Sequence, residues 1–242
     1  MIIYPAIDLK DGECVRLVQG VADNKTVYSN RPGDVAYSFE MQGASFLHIV
    51  DLDGAFTGVQ KNLHAIKEIA TRISIPFQVG GGLRTVEDVY RIMNLGAQRV
   101  IIGTRALKSE GFINELLDTF GPERIILGLD AKNGYVVTDG WVSTSEVTAV
   151  DLGLRMRKIG IQTAVLTDVS RDGVLKGPNL QLIEEIATKT GLAVIASGGV
   201  STLDNIKDLK KLEAAGVTGA IIGKALYDRK LDLREAIREA KS

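Results

Sequence analysis

The feature that most constrains the fold of this chain is an internal repeat, which relates its first half to its second half. Four segments of the first half return in the second, in the same order and at nearly the same spacing. One such match could arise by chance, but four collinear matches indicate a duplicated unit far longer than the repeats of a solenoid. The matched segments are 7–12 with 129–134, 62–70 with 179–187, 81–85 with 198–202, and 101–107 with 221–226.

Short apolar runs alternate with amphipathic segments along the whole chain. Each run is apolar on consecutive positions, which is typical of strands buried on both faces of a parallel sheet. Helical periodicity between the runs is clearest at 62–70 and 179–187. This pattern predicts a single (β/α)8 barrel for residues 1–242, with half-barrels at approximately 1–122 and 123–242; a doubly wound open sheet is the alternative. The eight runs are 2–7, 46–50, 76–79, 100–102, 125–129, 164–166, 193–196 and 219–222.

Composition is that of an ordinary globular protein and argues against several classes of function. The 242 residues are 45% hydrophobic and 24% charged, which suits one large core and argues against disorder. A net charge of -1 argues against nucleic acid as the main partner. There is no apolar run of membrane-spanning length, the N-terminus lacks a signal-peptide pattern, and the lone Cys14 allows no internal disulfide. We therefore expect a cytoplasmic protein, and we take it to be a monomer.

Two aspartates occupy equivalent strand ends. In a duplicated barrel the halves are related by a pseudo-twofold axis, so Asp8 and Asp130 should face each other across the C-terminal mouth, the functional end of this fold. Two opposed carboxylates suit paired acid and base roles; a structural salt bridge or a helix cap is the alternative. Asp51 and Thr167 are taken as matching ends of the next strands. They could orient the substrate or the aspartates, or equally stabilise the fold by hydrogen bonds.

Glycine-rich turns follow strands at equivalent places in both halves. Without Cβ atoms, the backbone of such a turn can approach a phosphate closely and point N–H groups at it. A further glycine at the end of the next strand can complete each cradle. The alternative is that the glycines only permit tight turns, but their duplication favours two phosphate sites at opposite rims of the barrel. The residues concerned are Gly81, Gly82, Gly103 and Thr104 in the first half and Gly198, Gly199, Gly223 and Lys224 in the second.

Two long polar segments interrupt the alternation of strands and helices. We interpret 11–27 and 131–145 as long βα loops over the active face, because loops of this length in a compact domain are usually functional. Each contains a short strand-like stretch, at 14–18 and at 135–138. Trp141, the only tryptophan, has polar neighbours, which favours a lid that stacks on a planar ligand ring over a place in the core. Arg16 and Gly20 in the first loop could contact a ligand phosphate.

The sequence predicts neither a metal centre nor a covalent nucleophile. No cluster of His, Cys, Asp and Glu has metal-ligand spacing, and His48 and His64 are both interpreted as structural. The Gly-x-Ser-x-Gly pattern is absent and Cys14 has no convincing histidine partner, which argues against covalent acyl chemistry.

Five short motifs are Pro-Ala-Ile-Asp-Leu at 5–9, Gly-Gly-Gly-Leu-Arg at 80–84, Asp-Gly-Trp at 139–141, Thr-Asp-Val-Ser-Arg-Asp-Gly at 167–173 and Gly-Pro-Asn at 177–179. Together they resemble the phosphoribosylformimino-aminoimidazole carboxamide ribotide isomerases of histidine biosynthesis, and the resemblance spans essentially the whole chain. It implies an Amadori rearrangement, which turns an aminoaldose into an aminoketose without a cofactor. The implied substrate is a sugar-nucleotide that carries a phosphate at each end.

The resemblance also implies roles for individual residues. Asp8 corresponds to the general base that moves the ribose C2 proton. Asp130 corresponds to the general acid that helps to open the furanose ring, assisted by Thr167. Trp141 would stack on the imidazole end, and Asp172 is placed among the substrate-binding residues. One phosphate would be bound by Gly82, Gly103 and Thr104, and the other by Gly173, Gly199, Gly223 and Lys224.

Three other interpretations remain open. The related cyclase barrel, which makes imidazole glycerol phosphate using ammonia, usually begins Pro-Cys-Leu-Asp-Val and lacks the Asp-Gly-Trp loop; Ala6 and Trp141 argue against it. A bifunctional isomerase that also accepts phosphoribosyl anthranilate uses additional loop arginines, which 131–145 lacks. A non-catalytic phosphate-ligand binding or scaffold subunit would have no need of both Asp8 and Asp130.

Overall fold

The structure, a computed structural model, describes residues 1–18, 21–138 and 140–242. Within these ranges, twelve strands form one hydrogen-bonded sheet. In chain order the strands are β1 Ile2–Lys10, β2 Glu13–Val18, β3 Val21–Ser29, β4 Leu47–Asp51, β5 Phe77–Gly80, β6 Arg99–Ile102, β7 Ile125–Lys132, β8 Tyr135–Thr138, β9 Ser143–Thr148, β10 Thr163–Asp168, β11 Ala193–Ser197 and β12 Val217–Ile222.

Eight of these strands close into a parallel barrel. Starting from β1, the order of neighbours is β4, β5, β6, β7, β10, β11 and β12, and β12 pairs again with β1. Parallel neighbours need a crossover connection, and the amphipathic segments supply it as helices on the outside of the barrel. The predicted (β/α)8 barrel is therefore confirmed, and the open sheet is excluded because the described barrel strands close on themselves.

The helices carry the same repeat as the strands. They are α1 Pro32–Met41, α2 Leu52–Thr57, α3 Leu63–Arg72, α4 Val86–Asn94, α5 Thr104–Lys108, α6 Glu110–Phe120, α7 Ala149–Lys158, α8 Leu180–Thr190, α9 Leu203–Lys210, α10 Lys224–Tyr227 and α11 Leu233–Lys241, with a 3-10 turn at Glu213–Ala215. The equivalent helices α4 and α9 each begin with a capping box, formed by Thr85 with Asp88 and by Thr202 with Asn205. Among the described residues, no helix combines the length and the apolar character needed to cross a membrane.

Two apolar layers surround the barrel wall. Successive side chains of a strand point to opposite faces, so Ile7 and Leu9 of β1 pack outward under the helices while Tyr4 and Ala6 point inward. The inward cluster fills the lower part of the barrel, which leaves the cavity above it at the carboxyl ends of the strands. This cluster consists of Tyr4, Ala6, Phe46, Ile126, Val165, Ile195 and Ile221.

The two long polar segments contain more regular structure than predicted. After β1, the chain folds into the antiparallel strands β2 and β3, and after β7 it folds into β8 and β9. The strand-like stretches within both segments are confirmed as β2 and β8, but β3 and β9 were missed because their sequences are polar and have no apolar run. The predicted contact residue Gly20 lies outside the described residues.

Candidate active site

A cavity of about 490 Å³ opens at the carboxyl ends of the barrel strands. This is the size of a small-molecule site and lies at the end of the barrel where active sites form. Most of the predicted site residues line it, although they are scattered over the whole sequence. They are Asp8, Arg16, Gly81, Gly82, Gly103, Thr104, Asp130, Trp141, Thr167, Asp172, Gly173, Gly198, Gly199, Gly223 and Lys224.

Asp8 points into the cavity from β1 and forms an ion pair with Arg16 of β2. The Arg16 Nη1 atom lies 2.5 Å from Asp8 Oδ2, and Arg16 Nη2 donates to the carbonyl of Ala6 at 3.1 Å. Burial raises the pKa of the Asp8 carboxyl, and the Arg16 charge and hydrogen bond act against that rise. Asp8 is therefore a buried carboxylate whose ionised form is stabilised by a cation.

Asp130 points into the cavity from β7 and has neutral partners. The side chains of Trp141 and Thr167 are hydrogen-bonded to its carboxyl, and Thr167 is its direct neighbour on β10. Burial raises the pKa of Asp130, and the two hydrogen bonds partly offset the rise. Because neither partner carries a charge, the ionised form of Asp130 lacks the direct cation partner that Asp8 has.

Asp172 adds a third carboxyl to the cavity. Burial raises its pKa to about 6, the Arg16 charge lowers it, and the negative charges of Asp8 and Asp130 raise it further. The sequence placed Asp172 only among the binding residues. The structure places it within the electrostatic field of both predicted catalytic aspartates, so its proton depends on their ionisation.

Asp51 is the predicted site residue that the structure places away from the cavity. Its side chain is buried and caps α2, accepting from Gly54 N at 2.9 Å and from Asn62 Nδ2 at 2.6 Å. Its counterpart in the repeat is Asp168 and not Thr167, since Asp168 bonds Asn179 at the same separation of 11 residues. The match with Thr167 is thus corrected by one residue, and the placement favours the fold-stabilising role.

The glycine turns serve close packing of the backbone as well as the cavity wall. Gly82 has a φ of +72°, and a Cβ there would lie 2.2 Å from the Gly54 carbonyl oxygen. Gly199 has a φ of +84°, and a Cβ there would lie 2.4 Å from the Gly177 carbonyl oxygen. Both turns therefore require glycine for the fold itself. Because the same turns also line the cavity, the two interpretations of these glycines are compatible.

Positive side chains accompany the second glycine turn. Lys224 lines the cavity and pairs with Asp228, which also accepts from Tyr28 Oη at 2.8 Å. Arg16 packs on Gly223, where a Cβ would lie only 1.9 Å from its Nη2 atom. This rim therefore combines an open backbone with two cations, which suits an anionic group.

The first glycine turn has cations that the sequence analysis did not single out. Arg84, Arg105 and Lys108 all line the cavity, close in sequence to Gly82 and Gly103. Arg84 lies two residues after Gly82, and the other two lie on α5, which begins at Thr104. The signal in the sequence was that each of these basic residues lies within four residues of a predicted phosphate-binding residue.

His48 was interpreted as structural, yet the structure places it in the cavity wall. It points inward from β4, and its Nδ1 atom lies 3.0 Å from Gln78 Nε2. Burial and the charges of Arg16 and Arg99 lower its pKa to about 3. The overlooked signal was a polar residue at an inward position of an otherwise apolar strand.

A closed (β/α)8 barrel with buried, pKa-shifted carboxyls at its C-terminal mouth defines an enzyme that moves protons on a small molecule. Residues 2–232 match the model of a family described as "Histidine biosynthesis protein". The chain belongs to this histidine biosynthesis protein family.

Curated relatives cover nearly the full length. A protein of Syntrophomonas wolfei is 67% identical over 242 residues, which is 100% of this chain and 99% of the relative. One of Lachnoclostridium phytofermentans is 50% identical over 238 residues, 98% of each chain, and one of Acetivibrio thermocellus is 49% identical over 241 residues, 100% of each. All three are named 1-(5-phosphoribosyl)-5-((5-phosphoribosylamino)methylideneamino) imidazole-4-carboxamide isomerase.

Proposed function

We propose that this chain is the aldose–ketose isomerase of histidine biosynthesis that its relatives' names describe, converting the phosphoribosylamino end of the substrate from an aminoaldose to an aminoketose. The observation that carries the proposal is the pair of buried acids, Asp8 and Asp130, which face one cavity and have different partners. Relatives of this name at up to 67% identity over the full chain support the choice of substrate.

The reaction begins with opening of the furanose ring, for which Asp130 supplies the proton. As the bond between C1 and the ring oxygen breaks, the oxygen takes the proton of Asp130, and the lone pair of the amine nitrogen forms a C=N double bond with C1. A neutral carboxylic acid is needed for this step. Asp130 is suited to it because burial favours its neutral form and its hydrogen-bond partners carry no charge.

Asp8 then acts as the base. It removes the proton from C2, and the electrons of that C–H bond form a C1=C2 double bond while the C=N electrons return to nitrogen. The resulting enaminol becomes the aminoketose when its C2 hydroxyl loses a proton and C1 gains one. Asp8 is suited to this step because Arg16, 2.5 Å away, stabilises its ionised form.

The two rims of the cavity can bind the two phosphate ends of the substrate. Each rim presents a glycine turn and cationic side chains, so we place one phosphate of the substrate at each. Trp141 lines the same cavity and is hydrogen-bonded to Asp130, so we propose that its ring stacks on the imidazole. We propose a cytoplasmic monomer that acts on this small molecule without a cofactor or a nucleic-acid partner. The lining of the cavity from one chain supports a site complete in the monomer.

Turnover of the aminoaldose by the purified chain tests the proposal, with phosphoribosyl anthranilate assayed in parallel. Asp8→Asn and Asp130→Asn should each lower kcat by about 100- to 10,000-fold, the usual contribution of a general acid or base, while substrate affinity stays within a few-fold. Asp118→Asn, on the exposed side of α6, is the matched control and should keep full activity. Absence of aminoaldose turnover by the unaltered chain would reject the proposal.

A further inference from the structure

Three polar side chains, His48, Gln78 and Arg99, form a hydrogen-bonded chain that ends at the cavity and that we call the relay. His48, Gln78 and Arg99 lie on the neighbouring strands β4, β5 and β6 at the same level of the barrel, since His48 is paired in register with Gln78 and Gln78 with Arg99. Arg99 Nη2 donates to Gln78 Oε1 at 2.8 Å, and Gln78 Nε2 lies 3.0 Å from His48 Nδ1. The relay leads from the interior of the barrel to the one member that lines the cavity, His48.

The donors and acceptors of this relay determine where the His48 proton resides. A guanidinium can only donate, so Arg99 must face the oxygen of the Gln78 amide. The amide nitrogen of Gln78, which can only donate, then faces His48 Nδ1. Nδ1 must therefore be the acceptor, and the proton of the neutral ring is on Nε2.

The far end of the relay is held firmly. Arg99 also donates to Tyr4 Oη at 3.1 Å, and its guanidinium stacks over the Phe46 ring at 4.3 Å. Gln78 has no solvent exposure. A rotation of the Gln78 amide would set its NH2 group against the guanidinium, leaving a buried donor without an acceptor, which is costly. Arg99 thus fixes the orientation of the Gln78 amide.

The other end of the relay faces the space where the substrate binds. His48 is the register partner of Ala6, and Asp8 follows two residues later on the same inward face of β1. The small residues Ala6 and Gly80 also line the cavity, so they leave room above the imidazole. With Nδ1 engaged by Gln78, the nitrogen left for the cavity is Nε2.

We propose that His48 is a substrate-contacting residue whose Nε2–H donates a hydrogen bond to an oxygen of the reacting sugar, and that Gln78 and Arg99 are positioning residues that fix this tautomer. The inference rests on the proposed function, because the sugar is the part of that substrate held next to Asp8. The charges of Arg16 and Arg99 and the burial of the ring keep His48 neutral. A neutral donor can hydrogen-bond the sugar oxygen without competing for the proton that Asp8 removes.

The tautomer is measured directly by nitrogen-15 NMR of the histidine side chains in the unaltered protein, with His48→Asn used to assign the signals. We expect a proton bonded to Nε2 and none on Nδ1 at neutral pH. A proton on Nδ1, or a doubly protonated ring, would overturn the inference. This measurement needs no turnover, so it is independent of the proposed function.

Two substitutions at His48 distinguish the roles of its two ring nitrogens. The amide of His48→Gln can place an N–H near the position of Nε2, whereas the shorter amide of His48→Asn reaches only to Nδ1. We expect kcat to fall by about 100- to 1,000-fold in His48→Asn, as for loss of a donor aimed at the reacting group. The loss of kcat in His48→Gln should be roughly ten times smaller than that in His48→Asn. Equal activity of the two variants, with both folded by circular dichroism, would overturn the contact.

Gln78→Glu tests the positioning role. The carboxylate keeps the shape and gains an ion pair with Arg99, but it can only accept, so the His48 proton should move to Nδ1. We expect a loss of kcat similar to that of His48→Asn with KM and thermal stability nearly unchanged. A purely structural role for Gln78 predicts unchanged kcat, and that result would overturn the relay. Unaltered protein that fails to turn over the aminoaldose would instead reject the proposed function, with the NMR result standing separately.

Discussion

Trp141 combines two contributions that a pair of substitutions can separate. Its ring lines the cavity, and its side chain is hydrogen-bonded to Asp130. Trp141→Phe keeps a ring that can stack and loses the indole N–H, whereas Trp141→Ala loses both. Stacking of a base on an aromatic side chain contributes about 1–3 kcal/mol, so Trp141→Ala should raise KM by roughly 5- to 150-fold, and Trp141→Phe by less than about threefold.

The lost hydrogen bond should appear in the pH dependence of kcat. The N–H of Trp141 favours the ionised form of Asp130, so its removal raises the pKa of Asp130 and the acid persists to higher pH. In both variants the high-pH limb of the kcat profile should therefore shift to higher pH, while the low-pH limb stays in place. Thr167→Val, which removes the second donor, should move the same limb without the increase in KM.

Steady-state kinetics of the aminoaldose reaction across the pH range would check these expectations. Equal loss of affinity in Trp141→Phe and Trp141→Ala would show that the indole N–H, and not the ring face, carries the binding. A high-pH limb that stays in place in all three variants would refute the assignment of Asp130 as the acid.

Three further predictions concern the ligand-free protein. Asp172→Asn should raise the free energy of unfolding by about 2–4 kcal/mol above pH 6 and have little effect below about pH 4. The reason is that the pKa of Asp172 is raised from 3.8 to about 6 on folding, so its ionisation destabilises the folded protein as the pH rises through this range. Urea unfolding at both pH values checks this, and equal effects would contradict it. Asn62→Ala should cost about 3–5 kcal/mol by removing hydrogen bonds to two buried carboxylates, and Asn179→Ala less, since it bonds one; a larger loss at Asn179 in the same assay would count against this account. Cys14 is fully buried with its pKa raised to about 12, so a thiol reagent should label it only on unfolding, and rapid labelling of native protein would refute this.

The barrel was predictable because both of its signals are local or repeated. Runs of consecutive apolar residues mark strands covered on both faces, and the observed barrel strands lie within a few residues of the predicted ones. The repeat then placed Asp8 and Asp130 at equivalent strand ends. The strands β3 and β9 lack an apolar run, and only their pairing with β2 and β8 makes them strands.

The residues that sequence reasoning missed depend on contacts between distant segments. Gln78 lies 30 residues from His48 and 21 from Arg99, and only the register of the barrel strands brings the three to one level. The match of Asp51 with Thr167 was wrong by one residue because both stand near a strand end. Only the bonds of Asp51 to Asn62 and of Asp168 to Asn179 reveal the true register.

The proposed division of roles between Asp8 and Asp130 rests on how the two halves of the barrel differ. Equivalent positions give the two aspartates the same geometry, and identical surroundings would give them similar pKa values, which serves neither an acid nor a base well. The side chains next to the two aspartates differ, and this difference removes the equality of their surroundings. Asp8 lies beside Val50 and pairs with Arg16, whereas the neighbour of Asp130 in register is Thr167. A cation favours ionisation more strongly than neutral donors do. The duplicated backbone therefore opposes two acids across one cavity, and the unduplicated side chains around them suit Asp8 to the proposed role of base and Asp130 to the proposed role of acid.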